Sequence, residues 1–109
     1  MDLDLRPILH LLLHALVPLA IAVTCFRARW RSAYAWMLVG WLIDIDHLLA
    51  EPIYMADRCS IGFHPLHRAP AIAFYVVLLL PPRTRVLAIG LLVHIGLDAT
   101  DCAWIQAGA

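Results

Sequence analysis

Residues 33–50 read AYAWMLVGWLIDIDHLLA, an apolar run that carries Asp44, Asp46 and His47 toward its end. A run of this length approaches the ~20 residues a helix needs to cross a bilayer. Its ionisable residues argue against a passive span, because charge in the hydrocarbon layer is costly and usually marks function. Working outward, comparable apolar runs lie at about 8–26, 66–80 and 86–104. The run at 66–80 is short. Pro81–Pro82 ends it, and Pro65 or Pro70 suits a first helical turn, where a missing N–H costs nothing. To span, that segment has to tilt, thin the bilayer or begin near Pro65.

The composition agrees with four membrane segments. Of the 109 residues, 63% are apolar and 15% charged, and the mean hydropathy is +0.82, whereas a soluble domain carries about 45–50% apolar residues. Too few polar residues remain to coat a small soluble domain. Eight acids balance eight bases, all arginine, so there is no basic excess to hold nucleic acid. The expected fold is all-α: one transmembrane domain over residues 1–109, an integral membrane four-helix bundle with an outer loop at 51–65. Its first partner is the lipid bilayer. Four short helices have few neighbours to shield them from lipid, which leaves room for a homo-oligomer.

Arg27, Arg29 and Arg31 fill the first connection and Arg83 and Arg85 the third. By the positive-inside rule these turns face the cytoplasm, with both termini and the loop 51–69 on the outer side. A shift of 54 residues superposes His10 on His64, Arg29 on Arg83, Arg31 on Arg85 and Asp44 on Asp98. That match suggests two pseudo-repeated helical hairpins, and two hairpins of equal length are the simpler alternative.

Counting ~1.5 Å of rise per residue from the cytoplasmic end puts His14, Asp44 and Asp98 at ~17–18 Å and His10, Asp46, His47 and Asp101 at ~20–24 Å. They share a layer in the outer half. His94 lies lower, and His64 and His67 enter from the outer loop. His10 and His14, and likewise His94 and Asp98, are i,i+4 pairs on one helix face; Asp44 and His47 are i,i+3. Asp46 points elsewhere on its helix.

Imidazoles and carboxylates gathered in a dry layer are a ligand set for Zn²⁺, Mn²⁺ or Fe. The ligand pool is His10, His14, Asp44, His47, His64, His67, His94 and Asp98, enough for one or two ions. Asp46 and Asp101 are the candidate catalytic residues, as general base or as partners that orient the ligands. The same groups can instead bond across helices and simply hold the bundle. Arg68 either clamps a substrate anion or extends to the headgroups. Cys59 and Cys102 fall on the expected outer side, where a disulfide is permitted; metal ligation by either is the alternative. Trp30, Trp36, Trp41 and Trp104 read as interfacial anchors, and Gly40, Gly90 and Gly96 as points of close helix approach.

The strings Trp41-Leu-Ile-Asp-Ile-Asp-His47, Gly62-Phe-His-Pro-Leu-His67 and His94-Ile-Gly-Leu-Asp98 resemble bacterial inner-membrane-bound proteins labelled metal-dependent hydrolases. Over nearly its whole length the chain is still more similar to a small group of uncharacterised four-helix bacterial membrane proteins carrying the string from Arg58 to His67. The resemblance implies metal ligation by Asp44, Asp46, His47, His64, His67, His94 and Asp98, location in the bacterial inner membrane, and hydrolysis. The chain departs from the larger group in its shorter His-x-x-His pair and in Arg68 following that pair.

These readings converge on a multi-pass, metal-dependent hydrolase, with Zn²⁺ as the expected metal and Mn²⁺ or Fe as alternatives. The expected substrate is a lipid or lipid-linked ester or phosphoester reached from the outer leaflet. The alternative is a metal-binding or metal-transporting membrane protein without catalysis.

Overall fold

The computed structural model describes residues 5–51 and 58–107. Among them the chain is helical, with no strand. Helix α1 runs Leu5–Cys25, α2 Trp30–Val39, α3 Ala69–Val77 and α4 Pro82–Gln106; 3-10 segments occupy Arg27–Arg29, Gly40–Leu49 and Pro65–His67. Proline marks the starts: Pro7 lies in the first turn of α1, and α3 and α4 each open with a proline, its φ already helical. Helices α1 and α4 are long and apolar enough to cross a membrane.

The second apolar run departs from a single α-helix. It is α2 followed by ten residues of 3-10 helix, Gly40–Leu49. In a 3-10 helix residues three apart eclipse one another, and the buried positions here are Gly40, Ile43 and Asp46. Asp46 therefore lies on the inward stripe, a different one from that of Asp44 and His47, as its spacing implies. The 3-10 rise is ~2.0 Å per residue, so α2 and its extension together reach about 35 Å.

Glycine permits the tightest crossing. A Cβ on Gly90 would stand 2.5 Å from the Cα and carbonyl oxygen of Met37, and one on Gly40 would stand 2.9 Å from the Leu91 nitrogen. Helices α2 and α4 thus meet backbone to backbone, as small residues allow. Gly96 plays no such part, since a Cβ there would meet nothing within 4 Å. Beside this crossing, Ala22, Ala33, Met37 and Val86 form one apolar core at the end of the arginine turns; Ile43, Tyr75, Leu91 and Ile95 form another.

Polarity is distributed the opposite way from a water-soluble domain. Arg6, His14, Asp46, His64, His67, His94 and Asp98 are buried, while Leu5, Leu11, Leu16, Leu42, Ile45, Leu48, Leu49 and Leu80 stand more than half exposed. The pseudo-repeat is broken locally. Residues 40–49 are 3-10, whereas the matching stretch 94–103 lies inside the α-helix α4.

Candidate metal centre

The polar interior begins with α4. His94 and Asp98, one turn apart on its buried face, aim Nε2 and Oδ2 to within 3.1 Å of each other. The 3-10 extension of α2 supplies Asp44, whose Oδ1 lies 3.0 Å from His94 Nε2. The loop before α3 supplies His67. Gly62, at φ 79°, turns this loop in a left-handed conformation that glycine adopts without strain. The Gly62 N–H donates to the His67 carbonyl at 3.1 Å, and the Tyr75 hydroxyl donates to the Leu66 carbonyl at 2.8 Å. So held, His67 Nε2 sits 2.9 Å from Asp98 Oδ2, 3.3 Å from Asp44 Oδ1 and 3.2 Å from His94 Nε2.

Those four atoms make a compact, tetrahedron-like group: five of their six separations are 2.9–3.3 Å and the sixth, between the two carboxylate oxygens, is within 4.8 Å, against the edge of about 3.3 Å that ligands at ~2.0–2.1 Å from a tetrahedral metal would have. Hydrogen bonding alone does not account for it. Asp46 Oδ2 accepts from His67 Nδ1 and from the Leu66 N–H, both at 2.9 Å, so a neutral His67 presents a lone pair at Nε2. Asp98 Oδ2 is buried with no hydrogen-bond partner among the described residues despite its close neighbours. A hydrogen bond joins His94 Nε2 to Asp44 Oδ1, and the remaining buried acceptors, crowded with too few donors, are unfavourable unless a cation lies among them. The donor set therefore fits a divalent metal. Asp46 supplies the carboxylate–histidine contact that commonly fixes a ligand's tautomer and orientation.

Two further groups adjoin this one. His10 and His14 place Nε2 3.0 and 3.3 Å from the other Asp98 oxygen, Oδ1. Asp46, His47 and His64 form the third group of candidate ligands, with the His47 and His64 rings stacked at 3.8 Å. Burial, together with the neighbouring His47, His67 and Arg58, holds the His64 pKa below its ordinary 6.5 against the opposing pull of Asp46; its imidazole stays neutral and able to ligate. A cavity of about 150 Å³, faced by His10, Asp44, His47, His64 and Asp98, opens beside the tetrahedron.

The remaining candidates are dispersed. Asp101 also borders the cavity, with its carboxylate accepting from Arg6 at 2.7 Å. Arg68 is exposed and donates to the Phe63 carbonyl at 3.2 Å, bordering a second cavity with Asp46 and His64. The arginines bordering the first cavity are Arg6 and Arg58. For Arg6 the sequence carries a signal, since it lies one turn before His10 and so shares its face. Trp41 stacks on His14 at 5.4 Å, so it braces a candidate ligand, whereas the sequence reading made it an interfacial anchor. Cys59 and Cys102 are joined in a disulfide, Cα to Cα 4.8 Å, tying the loop that carries Arg58 and His64 to the end of α4. Cys25 is free and exposed.

In comparison with known proteins, the profile of a family described as a family of unknown function (DUF6122) matches residues 4–105. No curated protein and no solved structure matches the chain.

Proposed function

The chain belongs to DUF6122, a family of unknown function, and on that premise we propose that it is a metal-dependent hydrolase of the bacterial inner membrane, acting on lipid or lipid-linked esters or phosphoesters. The observation that carries the reading is the tetrahedron of Asp44, His67, His94 and Asp98, buried with too few donors for its acceptors. Those residues would hold one divalent ion, Zn²⁺ by ligand type, with Mn²⁺ or Fe compatible. Bound there, the ion supplies Lewis acidity, which lowers the pKa of a water toward ~7 and polarises a substrate oxygen.

The chain's own groups do the rest. Asp46 orients His67 through its Nδ1–H. Asp44, the most open member with its side chain 34% exposed, gives the cluster its face on the cavity. Arg6 and Arg58 border that cavity and suit an anionic substrate oxygen. Asp101 holds Arg6 in place. The exposed leucines and isoleucines around a polar interior support a bilayer as solvent. A substrate at this depth brings a polar head on an apolar tail, as a lipid does.

One observation favours a non-catalytic reading: four protein atoms already complete a tetrahedron, the pattern of closed structural sites. Translocation is disfavoured by the apolar core of Ala22, Ala33, Met37 and Val86 beyond the cluster. Elemental analysis of detergent-purified protein, prepared without chelator, tests the metal: a transition ion is expected, and it is lost in Asp98→Ala. A metal-free native protein sinks the proposal. A screen of lipid phosphoesters then separates the readings, since turnover abolished by Asp98→Ala means hydrolysis and inactivity with metal bound means storage or structure.

A further inference from the structure

The four-atom tetrahedron leaves one oxygen of Asp98 unused. Asp98 Oδ1 points the other way, toward α1, where His10 Nε2 lies at 3.0 Å and His14 Nε2 at 3.3 Å. The His14 Nδ1–H donates to the His10 carbonyl at 2.8 Å, which in the neutral ring leaves the lone pair on Nε2. That atom is buried and has no hydrogen-bond partner among the described residues, although a carboxylate oxygen stands beside it. Two imidazole nitrogens and a carboxylate oxygen thus converge a second time, and a cation would answer all three at once. Stacking of Trp41 on His14 and the edge-on contact of His14 with His94 at 4.6 Å hold the ring in this direction.

We propose that Asp98 bridges two metal sites, Oδ2 belonging to the set with Asp44, His67 and His94 and Oδ1 forming a second divalent-metal site with His10 and His14. This rests on the metal-dependent reading above and extends it. Two imidazoles and one carboxylate select Zn²⁺, Mn²⁺ or Fe²⁺ over Ca²⁺ or Mg²⁺. The two sites differ in openness. The first is filled by four protein atoms, whereas the second has three, with His10 and Asp98 bordering the cavity; three protein ligands and a free position are the catalytic pattern. The His10–His14 set would thus add to the buried set an open position for a substrate oxygen, close to Arg6 one helical turn earlier.

The test counts ions on the full chain in detergent. Protein equilibrated with Mn²⁺ and desalted is analysed for metal per chain, and its electron paramagnetic resonance spectrum is recorded. Two ions per chain with an exchange-coupled spectrum are expected. His10→Gln and His14→Gln should each lower the content to one and leave a single-ion spectrum, with unchanged elution on size exclusion reporting the fold. Should His14→Gln elute as aggregate, His10→Gln decides, because that side chain faces the cavity. One ion per chain in the native protein, insensitive to both variants, overturns the second site and leaves the first standing. Two ions that both variants retain overturn its placement. No ion at all overturns the metal-dependent reading itself.

Discussion

The two ends of this bundle are packed by opposite means. At the end of the arginine turns, Ala22, Ala33, Met37 and Val86 close the interior, and above them Gly40 and Gly90 let α2 and α4 touch backbone to backbone. At the other end the interior is Arg6, His14, Asp46, His64, His67, His94 and Asp98, and a disulfide ties the loop to α4. The first end gains from close contact and needs no partner chemistry. The second stores unsatisfied acceptors, which burial penalises, so it needs a staple, an ordered network and, on our reading, a metal. The contrast is between an apolar scaffold at one end and, at the other, a polar interior that we propose to be the reactive one.

Breaking the staple should have the largest effect on stability. Cys59→Ser opens a link spanning 43 residues of sequence, and a bridge of that kind contributes roughly 2–4 kcal/mol. A lower thermal midpoint in detergent, with metal affinity falling as the His64 and His67 loop loosens, is the expected result; an unchanged midpoint means that the network alone holds this end. Gly90→Ala attacks the scaffold. Its new Cβ meets Met37 backbone atoms at 2.5 Å, and because backbone cannot swing aside, overpacking of about 1–3 kcal/mol should outweigh the gain in helix propensity of up to ~1 kcal/mol. Denaturant titration followed by helical circular dichroism measures it.

Asp46→Asn touches only the reactive end. It weakens the hold on His67 Nδ1, and loss of such an orienting contact lowers metal affinity roughly 10–100-fold, a change readable by competition with a chelating dye while the thermal midpoint of the chelator-treated protein barely moves. A variant that binds metal as tightly as the native protein would show that Asp46 does not orient His67. The smallest effect belongs to Gly96→Ala. With open space around that position, helix propensity alone acts, and stability should rise by no more than about 1 kcal/mol.

Parts of this arrangement were legible in the sequence because they follow from local rules. The apolar runs and Pro81–Pro82 mark where helices can lie, and a constant rise per residue puts His14, Asp44 and Asp98 at one depth. Facing within a helix was legible only where the helix is regular, as for His94 and Asp98. For Asp46 it was legible in part: the spacing set it apart from Asp44 and His47, but over ten residues periods of 3.0 and 3.6 are hard to tell apart in a run as uniformly apolar as 40–49, so the sequence did not say that its stripe faces inward. For Arg68 the sequence left both expected roles open, because adjacency to His67 in the chain says nothing about direction once a 3-10 turn intervenes; its guanidinium goes to the Phe63 carbonyl.

By itself, the sequence determined an all-helical chain with apolar faces too extensive for its polar residues, and an inventory of imidazoles and carboxylates on its helices and loop. These properties depend on composition and on spacing along one element, both readable without a partner. Only the tertiary structure decided which atoms meet: that Asp98 turns one oxygen to His67 and His94 and the other to His10 and His14, that Asp46 backs His67, and that Arg6 and Arg58 border the cavity. Apart from the His94–Asp98 pair, those contacts join residues far apart in the chain, and their distances are set by how closely the helices cross, which Gly40 and Gly90 permit and no local pattern specifies.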